Sequence, residues 1–162
     1  MQEEKILVYC GTGNGRSAAA FGQGVRYACA GKSVFVVRFL KGKASVEIDY
    51  LKRFEPEIKQ FSFDKFDQCY SSLNEEEQAE ERIHIENGLA FAKKVLTAHE
   101  CDVLILDEVL DLAAMGIVDT KILLSLISSA GEDTVMIMTG THQCEELWPY
   151  VDRVTEVRNL KG

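Results

Sequence analysis

The chain predicts an α/β fold: a mostly parallel central sheet with helices packed on both of its faces. Three observations carry this. Short β-branched and apolar runs alternate with longer stretches of helical spacing along the whole chain, as a parallel sheet with crossover helices requires. Two of the runs, Val103-Leu104-Ile105-Leu106 and Val135-Met136-Ile137-Met138, hold no polar residue, which suits strands covered on both faces. Turn formers punctuate the alternation, at Gly31, Lys41-Gly42-Lys43, Pro56 and Gly140.

Each element follows in order. Lys5–Cys10 is the first strand. Ser17–Ala30 is an alanine-rich helix closed by Gly31. Ser33–Phe39 is β-branched and aromatic, hence a second strand. Ala44–Phe54 reads as a short helix stopped by Pro56, and Ile58–Phe63 as a third strand. A long polar helix opens at Asn74, an N-cap followed by Glu75, Glu76 and Glu77 at the positive helix start, and runs to about His99. Its apolar stripe is Ile85, Leu89, Ala92, Val95 and Leu96, and its glutamates read as a solvated face. Asp102–Asp107 is a buried central strand, Asp119–Ser129 a helix, Thr134–Thr139 another buried strand, Cys144–Val151 a helix and Arg153–Arg158 a last strand.

Size and charge narrow the function. The 162 residues suffice for one domain, residues 1–162, with a real core. A formal charge of −8 argues against a broad nucleic-acid surface but leaves room for a local phosphate pocket. No apolar run reaches the length of a membrane span, and Met1-Gln2-Glu3-Glu4 carries no signal peptide. Five scattered cysteines without a C-x-x-C suit free thiols in a reducing cytoplasm. His142 and Cys144 stand two apart in a loop and have no second ligand pair in sequence, so they read as unrelated residues.

Between the first strand and its helix lies Gly11-Thr12-Gly13-Asn14-Gly15-Arg16-Ser17. Strand, glycine turn and helix in that order let backbone N–H groups converge on an anion, and the helix start adds partial positive charge. Arg16 and Ser17 are the types that meet a phosphate oxygen and a Mg2+ ion. The strict pattern G-x-x-x-x-G-K-[ST] is broken, because Cys10 takes the first glycine position and Arg16 the lysine position. The second signal is Asp107-Glu108, an acidic pair ending an apolar strand, where carboxylates reach Mg2+ directly or through water. Together the two motifs predict Mg-nucleotide binding in a P-loop NTPase-like three-layer α/β/α sandwich.

In their order these segments resemble the P-loop type of ATP:cob(I)alamin (corrinoid) adenosyltransferases. Gly11 to Gly22 is similar to that family's G-N-G-K-G-K-T-T-A-A-F-G, which also lacks the first glycine. Arg26 falls on an arginine of the next helix, Arg38-Phe39-Leu40-Lys41-Gly42 on Q-F-I-K-G and Leu106-Asp107-Glu108-Val109 on L-D-E-L. Met138-Thr139-Gly140 resembles I-T-G, and Asp152, Val154, Glu156, Arg158 and Lys161 fit the ending D-x-V-S-E-x-R-x-x-K.

The resemblance implies transfer of the 5′-deoxyadenosyl group of ATP to a cobalt(I) corrinoid, with release of triphosphate. The nucleophile then belongs to the corrinoid, and no catalytic Ser, Cys or His is called for. Gly11, Thr12, Gly13, Asn14, Gly15, Arg16 and Ser17 are implied to cradle phosphates, with Arg26 and Lys41 as added cations. Ser17, Asp107 and Glu108 are implied to hold Mg2+. Among Phe61, Phe63 and Phe66, at least one is expected in the core, and Phe66 or Phe63 against the corrin ring. A homodimer is implied, with no nucleic-acid or membrane partner. Departures are Arg16 for lysine, Ser17 and Ala18 for two threonines, Thr141 for an arginine after I-T-G, and no clear G-F-T-W segment. They motivate an alternative, a diverged ATP- or phosphate-binding P-loop module without transferase activity. A plain kinase or ATPase is a third reading, with no acceptor-site motif behind it.

Overall fold

The computed structural model describes residues 3–43 and 51–162. It forms an all-parallel six-stranded sheet in the order β3-β2-β4-β5-β1-β6. The strands are β1 (Ile6–Cys10), β2 (Val34–Arg38), β3 (Ile58–Ser62), β4 (Val103–Asp107), β5 (Val135–Gly140) and β6 (Arg153–Glu156). The helices are α1 (Arg16–Cys29), α2 (Glu75–Thr97), α3 (Val109–Ala114) and α4 (Thr120–Ser129).

Strand alternation builds two cores. Leu104 and Leu106 of β4 face one way, with Met136 and Met138 of β5, against the apolar stripe of α2 and against α3 and α4. Val103, Ile105 and Ile137 face the other way, against Ala20 and Val25 of α1. This gives the three layers expected. A strand buried on both sides has no use for polar alternation, hence the unbroken apolar runs.

The long helix starts where its sequence says it should. The Asn74 side chain accepts from the Glu77 N–H at 2.8 Å, and the Glu77 carboxylate accepts from the Asn74 N–H at 3.2 Å. This reciprocal capping box satisfies two otherwise orphaned donors and contributes about 1 kcal/mol. The reading of the α2 glutamates as a solvated face needs one correction: Glu81 is buried.

Other differences are local. The expected helix Ala44–Phe54 falls partly outside the described residues, and Lys52–Phe54 forms a 3-10 turn. Glu145–Tyr150 is 3-10 rather than α-helical, with Pro149 inside it; proline has no N–H for the helical ladder. Helix α3 was not expected. It is a six-residue element directly after β4, too short for periodicity to distinguish it from the strand before it.

The ending resembling D-x-V-S-E-x-R contributes to the frame. Asp152 accepts the N–H groups of Lys5 and Ile6, both at 2.8 Å, and fixes where β1 begins. Among the described residues no helix is long and apolar enough to cross a membrane.

A candidate nucleotide and metal site at the strand ends

Parallel strands all point their C-terminal ends to one edge of the sheet, where ligands of such folds bind. The loop 11–15, Arg38, Lys41, Asp107, Glu108 and Thr139 all come to that edge, after β1, β2, β4 and β5.

Three features shape the loop. Gly15 has φ 106° and turns the chain into α1, a conformation that L side chains resist. A Cβ at Gly13 would lie 2.7 Å from the Arg158 Cα, so glycine is needed for the segment after β6 to pack beneath the loop. The Gly11 N–H donates to Thr141 O at 3.2 Å, Gly13 N–H to Val157 O at 2.9 Å and Asn14 N–H to the Asn159 side chain at 3.3 Å. These three donors are therefore committed to the fold. The first-turn N–H groups of α1, which lack intrahelical acceptors, are the ones placed to meet an anion. Gly13→Ala should push the loop off the 157–158 segment and lower nucleotide affinity by an order of magnitude or more, read by calorimetry beside a melting curve.

Arg16 is the first residue of α1. Its guanidinium donates to Glu108 at 3.0 and 3.2 Å and to Gly13 O at 3.2 Å. Its Nε is buried and has no hydrogen-bond partner among the described residues. An orphaned buried donor is costly, and this one sits on a cation at a helix start, where an oxyanion would satisfy it. Lys41 Nζ lies 3.9 Å from the same Glu108 carboxylate.

Ser17 and the acidic pair meet as expected. The Ser17 hydroxyl donates to Asp107 Oδ1 at 2.7 Å, and Thr139 donates to the same oxygen at 2.8 Å. Arg38 Nε approaches Asp107 Oδ2 at 3.4 Å. Both oxygens of Asp107 are thus engaged, which suits a link to Mg2+ through Ser17 or a water. Glu108 has φ 65°, a strained angle for a non-glycine residue, held by its N–H donating to Thr139 Oγ1 at 2.8 Å. Burial, then the Asp107 charge and a hydrogen bond with Asp111, push the Glu108 carboxyl up; Lys41 and Arg16 pull it down. Ser17, Asp107 and Glu108 form an all-oxygen donor set that fits a hard cation. Among the described residues no group of three or more His, Cys, Asp or Glu could hold a metal by itself. The phosphate oxygens of a nucleotide would have to complete the coordination.

Not every expected residue reaches this edge. Arg26 sits in the last turn of α1, about 15 Å along the axis from Arg16. It hydrogen-bonds Gln23 and lines a cleft with Glu3, Glu4, Tyr27 and Arg153. The structure does not bring it to the loop. Thr12 is exposed on the loop. Phe61 and Phe63 pack on Phe91, ring centroids 4.7 and 5.3 Å apart, and belong to the core. Phe66 stays out of that cluster, half-buried in the segment after β3.

Two residues of this edge were given no site role in the sequence. Arg38 is almost fully buried beside Asp107 and lies 5.7 Å from the Phe21 ring; a charge ending an otherwise apolar strand was the available signal. Asp111, on α3, accepts from the His142 ring at 2.8 Å and from the N–H groups of Thr141 and His142 at 3.0 and 3.1 Å. Burial pushes its carboxyl up, but hydrogen bonds with His142, Thr141 and Glu108 outweigh it and hold Asp111 below its ordinary value. It fixes the turn after β5 beside the loop.

Comparison with known proteins agrees with this geometry. The family model of ATP:corrinoid adenosyltransferase BtuR/CobO/CobP matches residues 2–162. The chain is 27% identical to the corrinoid adenosyltransferase CobA of Salmonella typhimurium over 99% of its own length and 80% of that protein's. It is 26% identical to the corrinoid adenosyltransferase of Escherichia coli K12, with the same coverage. With this family model covering nearly every residue and relatives of the same name matching along the same length, the chain belongs to the ATP:corrinoid adenosyltransferase family.

Proposed function

We propose that the chain transfers the 5′-deoxyadenosyl group of ATP to a cobalt(I) corrinoid, with release of triphosphate. Full-length family membership gives the reaction class, and the observation that carries the site is the unpartnered, buried Arg16 Nε at the start of α1. A bond forms between cobalt and C5′ while the C5′–O bond breaks, and its electron pair leaves with the triphosphate. The protein's share is electrostatic and positional. The Arg16 guanidinium and the first-turn N–H groups of α1 take the phosphate oxygens. Lys41 adds a second cation from the β2 side. Asp107 orients the Ser17 hydroxyl and Glu108 adds a second carboxylate, the set that would hold Mg2+. That ion, when bound, neutralises and orients the triphosphate. Phe66 is the aromatic left to face the corrin ring.

We read the chain as a homodimer, on the family resemblance, and as cytoplasmic. All five cysteines are free thiols, in keeping with a reducing compartment. Mixing the protein with Mg-ATP and chemically reduced cobalamin should shift the visible spectrum to that of adenosylcobalamin and yield one triphosphate per product. Nucleotide binding without product, or release of ADP and phosphate, overturns the assignment.

A further inference from the structure

Glu81 differs from the other glutamates of α2. It is only 3% exposed in a helix whose first-turn glutamates face water. Its carboxylate accepts the backbone N–H of Lys65 at 3.2 and 3.3 Å and that of Phe66 at 3.4 Å. Asp64, also buried, is hydrogen-bonded to Glu81 and accepts from Ser62 Oγ at 3.0 Å. A buried carboxylate is tolerated only when well hydrogen-bonded, and this one spends its acceptors on the backbone of a loop.

That loop in turn holds the turn after β2. Phe66 O accepts from the Lys43 N–H at 3.1 Å, and Leu40 O accepts from the Tyr70 N–H at 3.2 Å. The Cys69 thiol donates to Lys41 O at 3.5 Å. Lys41 ends 3.9 Å from Glu108. A continuous chain of contacts therefore runs from Glu81 to the acidic pair.

We propose that Glu81 is a positioning residue, which, paired with Asp64, holds the Phe66 segment and the Lys41 turn in place at the transfer site. This rests on the reading of Phe66 and Lys41 as substrate-facing. The pair makes the hold sensitive to pH. Burial, the hydrogen bond that the Asp64 carboxyl donates to Glu81 and the Glu81 charge push Asp64 up to about 6, while Ser62 and Arg38 of β2 pull it down. Lys65 and Glu80 also face this corner but pair with each other. A carboxyl raised in the folded state contributes stability that is full below its unfolded value and is lost as pH rises through the folded value. The segment is therefore held most firmly below the ordinary carboxylate value of 3.8, and the hold weakens as pH rises through about 6.

Amide hydrogen exchange in the full chain tests this directly. After correction for intrinsic exchange, protection of the Lys65 and Phe66 amides should fall by up to about tenfold between pH 5 and pH 7.5, as a shift of this size allows. Asp64→Asn keeps a donor toward Glu81, so protection should stay high and lose its pH dependence. Glu81→Ala should abolish protection at both pH values while the later α2 amides stay protected. It should also raise the KM for the corrinoid more than it lowers kcat, with Glu81→Gln partly restoring it. Protection that is flat with pH in the parent, or that survives Glu81→Ala, overturns the proposal. So does an unchanged corrinoid KM in a Glu81→Ala enzyme that has lost protection. The exchange readout needs no turnover, so failure of the adenosyl-transfer reading would show separately.

Discussion

Arg16→Ala will weaken Mg-ATP binding by about 10- to 100-fold, the size of one charge-assisted contact to an oxyanion. In the free protein the guanidinium holds Glu108 at 3.0 and 3.2 Å and leaves Nε unpartnered. An arriving phosphate gives that donor its acceptor. Arg16→Lys keeps the charge but presents a point donor in place of the planar fork. It should fall between parent and alanine variant, and it places the residue of the resembling family's loop at this position. Calorimetric titration with Mg-ATP decides the matter. Equal affinity for parent and Arg16→Ala would remove Arg16 from the nucleotide site.

Asp107→Ala will destabilise the fold by about 3–5 kcal/mol, because it takes one partner out of a buried, hydrogen-bonded charge pair. Arg38 and Asp107 have side chains only 1% and 0% exposed. Without the carboxylate, the Arg38 Nε–Asp107 Oδ2 contact disappears and the hydroxyls of Ser17 and Thr139 lose their shared acceptor. The midpoint of thermal unfolding should fall on the order of 10 °C for a chain of this size. Nucleotide binding should fail as well, since Ser17 is no longer oriented. The double variant Arg38→Met, Asp107→Leu separates the two effects. Removing both charges should recover most of the stability and none of the Mg2+-dependent binding. A stable Asp107→Ala protein with normal binding would show that this pair supports neither fold nor site.

The strands, the alternation and the capping of α2 were legible because each is a local matter. Asn74 and Glu77 sit within one helical turn, and β4 and β5 declare their double-sided burial by having no polar residue between Val103 and Leu106 or between Val135 and Met138. The loop and the acidic pair could be read because a glycine turn before a helix and carboxylates at a strand end carry their chemistry in sequence order. Helix α3 was not legible, since six residues directly after a strand offer too little periodicity. The three phenylalanines could not be sorted by pattern. Only packing against Phe91 assigns Phe61 and Phe63 to the core.

Arg26 shows where sequence order gives out. It follows Arg16 in the same helix, yet the rise of that helix carries it about 15 Å away, toward Glu3 and Glu4. Arg38 shows the converse: it is 69 positions from Asp107 in the chain and beside it in space, because β2 and β4 are neighbours in the sheet. By itself the sequence determined the architecture, the glycine loop before α1 and the acidic strand end, since these depend on hydrophobic pattern and on residues adjacent in the chain. The tertiary structure alone decided which cations reach Glu108, which loop donors are already taken and that Glu81 turns inward. Those outcomes depend on distances between strands and on burial, and neither is written in local order.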